Sequence, residues 1–180
     1  MANETERIVP PGVKLFQATT KAVNEWGQRR QKRLEETKIE KHGGHPRSRR
    51  EIAQIQKTGS TERGSFIARE MSSVLPGASK GFLEDFGDHI NSCLQGDNLS
   101  EQLKKVGQGL ETLNEEQINL AFEFHKLRQG LAQNSSQASF FRQELAKFNS
   151  ASINQIPENS FLSGLFRSIS NRYPDPRSIR

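Results

Sequence analysis

Nine cations fall within 22 residues: Arg29, Arg30, Lys32, Arg33, Lys38, Lys41, Arg47, Arg49 and Arg50. Only Glu35, Glu36 and Glu40 interrupt them. A phosphate backbone is matched by this pattern, because cations spread along a strip each displace a condensed counterion. Arginine adds bidentate hydrogen bonding to phosphate oxygens. Trp26 lies just before the cluster and has the ring needed to stack on a base. The same residues also suit three blander roles. The glutamates partly neutralise the strip as a solvated helix face, a short basic run can act as an import or localisation signal, and a tryptophan at this spacing suits a core or an interface.

The remaining reactive side chains do not assemble into a mechanism. His42 and His45 are the only close histidine pair, and a zinc site needs three or four ligands in tetrahedral array. His89, Cys93 and His125 stand at no recognised ligand spacing. Gly59-Ser60-Thr61-Glu62-Arg63-Gly64 lacks the lysine of a phosphate-binding loop, and Gly107-Gln108-Gly109 falls in a helical pattern. Glu84, Asp85 and Asp88 read as solvated carboxylates on one helix, and Cys93 as a small buried hydrophobe. The expectation is a non-enzymatic protein with no cofactor and no metal.

The elements that carry these residues read as helices. Strand signals are scarce: there is one Tyr, and period-2 alternation is not sustained. Leu15, Phe16, Thr19, Ala22, Val23 and Trp26 share one helical face that leads into the basic cluster. Gly43-Gly44 followed by Pro46 forms a stop signal. A short helix is expected from Ser48 to Gly59-Ser60. Phe66, Ile67, Met71, Val74 and Leu75 suit a further helix closed by Pro76-Gly77. Ser79 reads as the N-cap of another, with Phe82, Leu83, Phe86, Ile90, Cys93 and Leu94 on its face and Gly96 at its end. Phe161, Leu162, Leu165, Phe166 and Ile169 form a short apolar face before the basic tail Arg172–Arg180.

Residues 99–148 hold the longest pattern. Alternating steps of four and three visit Leu99, Leu103, Val106, Leu110, Leu113, Gln117, Leu120, Phe124, Leu127, Leu131, Asn134, Ala138, Phe141, Leu145 and Phe148. A 3.5-residue apolar repeat sustained this far is the coiled-coil signal, and its stripe asks for a second helix. Three shorter helices in a bundle fit equally: Asn114 with Gln117 is a capping-box pair, Asn134-Ser135-Ser136 is a plausible loop, and Gly107, Gly109 and Gly130 each weaken a continuous helix by about 1 kcal/mol. The apolar members of this seam are the expected oligomerisation residues.

Whole-chain figures frame these segments. The chain has 180 residues with 32% hydrophobic content and a net charge of +5; the mean hydropathy is −0.77. Residues 1–75 carry 15 Lys/Arg against 9 Asp/Glu, residues 76–160 carry 7 against 11, and residues 161–180 carry 4 against 1. The single cysteine allows no intrachain disulfide. Neither a signal peptide nor a membrane-length apolar stretch is visible. The expected location is therefore the cytoplasm, or the nucleus in a eukaryotic host, with no integral membrane insertion.

The fold class expected is all-α, a helical bundle or coiled coil. Residues 1–60 would form a basic, partly helical flexible arm, residues 61–171 a helical assembly domain, and residues 172–180 a basic tail. Nucleic acid, RNA first, and further copies of the chain are the expected partners. The other reading is a protein–protein adaptor whose apolar stripes dock on a host or polymerase protein while the basic segment serves localisation. By analogy only, this layout is shared by many small viral and regulatory proteins.

Overall fold

The computed structural model describes residues 9–40 and 49–178, and these are all-helical, with no strand among them. Seven α-helices follow in order: α1 (Pro11–Glu40), α2 (Arg49–Val74), α3 (Lys80–Cys93), α4 (Leu99–Glu111), α5 (Glu115–Gln133), α6 (Ala138–Ala151) and α7 (Phe161–Arg172). They form two compact units. One is Lys14–Leu103; the other is the chain from Lys104 onward together with residues 9–13.

In the Lys14–Leu103 unit, α1 buries Leu15, Ala18, Ala22, Val23 and Trp26. The apolar residues of this stretch recur on one helical face, and that face is buried. Thr19 is buried on the same face, and its hydroxyl donates to the Leu15 carbonyl at 2.8 Å, so no polar group is left unsatisfied there. α2 runs unbroken through Gly59-Ser60, where the sequence pattern ended a short helix. One glycine costs a helix interior about 1 kcal/mol, which the packing of α2 on α3 readily outweighs. Phe66, Ile67 and Met71 of α2 and Phe82, Phe86 and Ile90 of α3 are core residues, with the Phe82 and Phe86 rings stacked at 5.5 Å.

The two helices approach closely at glycine. A Cβ on Gly87 would lie 2.7 Å from the Gly64 carbonyl oxygen and 3.0 Å from Ala68. Ser79 caps α3 as its position predicts, its Oγ accepting from the Phe82 N–H at 3.1 Å. The chain leaves α3 through Gly96 at φ +116, a conformation that favours glycine.

The seam runs from the end of the first unit, at Leu99–Leu103, through the second. Residues 99–148 are three helices, not one. Asn114 and Gln117 make a reciprocal capping box, at 2.8 Å and 3.0 Å, that starts α5. Asn134 ends it, and a 3₁₀ turn at Ser135–Gln137 leads into α6. α5 then packs against α6 and α7. Phe124 of α5, Phe148 of α6 and Phe166 of α7 meet in a cluster with centroids 4.6–6.2 Å apart. The glycine that looked like a flaw in a long helix is a seat: a Cβ on Gly130 would collide with the Phe141 ring.

The seam is therefore largely spent inside the chain. Val106, Leu110, Leu113, Phe124, Leu131, Leu145 and Phe148 are buried, whereas Leu99, Leu103, Leu120, Leu127 and Phe141 stay half-buried. The physical reason is the pair of breaks at residues 112–114 and 134–137: the second lets α6 pack back on α5, and α4 meets α7 instead, with Gly109 against Phe161.

Candidate nucleic-acid interface

Four of the nine sequence-selected cations have described side chains: Arg29, Arg30, Lys32 and Arg33, all on α1. Lys38 lies on the same helix and Arg49 and Arg50 open α2, but their side chains are outside the described residues, as are Lys41 and Arg47 altogether. The pair His42 and His45 also falls outside them.

α1 runs antiparallel to α2, as the order of its partners shows. Lys21 pairs with Glu70 at 3.5 Å, Arg29 lies over the Phe66 ring, and Arg33 makes a two-pronged hydrogen-bonded pair with Glu62 at 2.9 Å and 3.0 Å. Arg33 is thus already engaged, although its side chain is 63% exposed. Its neighbours are held differently. The Arg29 guanidinium sits 4.9 Å from the Phe66 centroid, and Arg69 of α2 lies 4.8 Å from the same ring. Arg30 sits 5.3 Å from the Trp26 ring, with Arg63 of α2 at 5.1 Å from it. Each of these contacts is worth about 0.5–1 kcal/mol at an exposed site.

Among the described residues, no carboxylate pairs with Arg29, Arg30, Lys32 or Arg69. Arg29, Lys32 and Arg69 are exposed and Arg30 half-buried. Arg63 differs from them. It is buried, donating through Nε to Asn91 Oδ1 and through Nη2 to the Leu94 carbonyl. Burial, and next the repulsion of Arg30, hold its guanidinium below the ordinary arginine value. A shallow groove lies along α1, lined by Trp26, Gln28, Gln31, Lys32 and Glu35 among others.

Trp26 is only 8% exposed with two guanidiniums over its ring, so it is a core residue and not a base-stacking platform. Arg63 and Arg69 did not stand out in the sequence, because their partners on α1 lie more than 30 residues away; only the helical spacing of aromatic and arginine residues on both segments hinted at them.

The other reactive groups stay apart. Cys93 is exposed, not buried: Ile90 and Leu94 take the core-facing positions of that turn. Its Sγ lies 3.9 Å from His89 Nε2, and partial burial raises the thiol, keeping it from the thiolate form. Asp85 is buried, whereas Glu84 and Asp88 are exposed as expected. His125 is 2% exposed, and its ring lies edge-on to Tyr173 at 5.3 Å. No group of three His, Cys, Asp or Glu residues among the described ones is placed to hold a metal. No described helix is long and apolar enough to cross a membrane.

Comparison with protein-family models, with curated proteins and with solved structures finds no match to this chain.

Proposed function

We propose that this protein is a non-catalytic, self-associating helical protein that binds nucleic acid, with RNA the first to test, through the basic strip of α1. One observation carries the reading: Arg29, Arg30 and Lys32 lie on a single helical turn with no carboxylate partner among the described residues, and the two arginines rest on aromatic rings. Resting on a ring restricts the side chain, so less rotamer entropy is lost when a phosphate binds. A strip this short binds weakly alone, and self-association would add several strips into useful avidity.

Size-exclusion chromatography with light scattering tests both parts, on nuclease-treated protein with and without single-stranded RNA. A multimer that grows further with RNA supports the reading. Neutralising Arg29, Arg30, Lys32 and Arg33 together should then abolish the RNA-dependent shift. A monomer indifferent to RNA overturns it.

A second reading is favoured by Phe140, which is 54% exposed beside Phe141 on α6. In that reading the protein is an adaptor, and α6 meets a protein partner. Binding to that partner would resist nuclease and be lost in Phe140→Asp, with RNA binding unchanged.

A further inference from the structure

Two guanidiniums of like charge share one ring at Phe66, one from each helix, and two share the ring of Trp26. Arg29 and Arg69 each lie less than 5 Å from the Phe66 centroid, so they are within twice that distance of one another. Such pairs repel, and among the described residues no carboxylate relieves the Arg29–Arg69 pair. An anion placed between them would. A ring attracts a guanidinium without accepting bidentate hydrogen bonds from it as a carboxylate does, which leaves that role to a phosphate.

The rings themselves are closed to a ligand. Phe66 is 6% exposed and Trp26 8% exposed. Stacking on a base needs an open aromatic face, which neither ring offers. Guanidinium and ammonium groups dominate the strip, with the amides of Gln28 and Gln31 exposed beside them.

Resting on the nucleic-acid reading above, we infer that the ligand is a phosphodiester backbone, bound without base selection on a composite surface of Arg29 and Arg30 from α1 and Arg69 from α2. Arg69 is a site residue that the basic cluster of the sequence does not contain. It is exposed, lies on the second helix, and extends the positive surface across the α1–α2 pair. Arg63 lies over the Trp26 ring but is not part of the site, because it is buried and its Nε and Nη2 donate to Asn91 and Leu94.

The test is anisotropy titration of fluorescein-labelled single-stranded oligouridylate and oligoadenylate of equal length, over a range of salt. The proteins are wild type, Arg69→Gln, and Arg167→Gln as a control at an exposed arginine of α7. Circular dichroism confirms that each variant is folded. Arg69→Gln should weaken both oligomers severalfold and flatten the log–log salt slope by about 0.7, the value for one lost single-strand phosphate contact. Arg167→Gln should change neither. The two oligomers should bind within about threefold of each other, and inorganic polyphosphate, which has no bases, should displace both.

Three results overturn the inference: an Arg69→Gln protein with wild-type affinity and slope, a tenfold or larger preference for one base, or polyphosphate that fails to compete. If binding is still lost when Arg29, Arg30, Lys32 and Arg33 are neutralised, only the composite, base-blind surface has failed. If neither oligomer binds at all, the nucleic-acid reading falls with it.

Discussion

Three arginines of one unit and two of the other are held in opposite ways. In the Lys14–Leu103 unit, Arg29, Arg30 and Arg69 rest on aromatic rings and meet no carboxylate among the described residues. In the other unit arginines act as struts. Arg142 makes a two-pronged bond to Asp175 at 2.8 Å and 2.9 Å, tying α6 to the segment after α7. Arg128 of α5 donates to the Ser170 carbonyl of α7 at 3.0 Å, and its Nε is buried without a hydrogen-bond partner. Burial lowers its guanidinium, and Asp175 works against that shift. The same side chain therefore serves cohesion where a carboxylate or carbonyl receives it, and is left for an outside ligand where only a ring does. The count of arginines along a sequence does not show this difference; their partners do.

Arg63 would break this contrast most forcefully, since it lies in the first unit but is held like the second unit's struts. Arg63→Met keeps an apolar stem near Trp26 and removes the donors to Asn91 and Leu94. It should cost about 1–3 kcal/mol in urea unfolding, the range for stripping a buried carbonyl of its donor. A neutral outcome would move Arg63 into the class of unengaged charges.

The acid limb of the stability curve sharpens the other side. Arg142, then the Arg177 backbone N–H, holds the Asp175 carboxyl down at about 2, from an ordinary value of 3.8. The folded value is the depressed one, so the contribution is fully present above about pH 4 and is lost as the pH falls toward 2. Thermal unfolding between pH 5 and pH 2 should show Asp175→Asn less stable than wild type at pH 5 and the two converging at the acid end. A constant gap across that range would mean the bond is not the source of the difference.

The smallest effects belong to the unengaged arginines. Arg29→Gln and Arg69→Gln should each shift unfolding by no more than about 1 kcal/mol, the upper end for an exposed ring contact. A larger loss in either would show that the ring contacts serve cohesion after all.

Local chemistry was the legible part of this fold. Ser79, Asn114 with Gln117, and Gly96 act where their residue types placed them, because a cap is decided within four residues. The heptad seam was legible as a stripe but not as an assembly, since a 3.5-residue repeat says that a facing helix is needed and not which chain supplies it. Phe124 finds its cover on α6 and α7. Cys93 was misplaced because two neighbours of the same face, Ile90 and Leu94, fill the available core at the end of α3. The α1 half of the candidate site could be read from its charge. The α2 half could not, because Arg69 meets Phe66 on its own helix but Arg29 only through the antiparallel pairing.

Trp26 is the chain's one tryptophan, and it lies at the edge of the basic strip, beside the Arg30 and Arg63 guanidiniums. Excitation at 295 nm would therefore report on this location alone. Its emission is set by a nearly dry ring with positive charge beside it, and any anion that draws Arg30 off that ring alters the local field. The protein thus carries an optical probe at the place where occupancy matters, with no label attached.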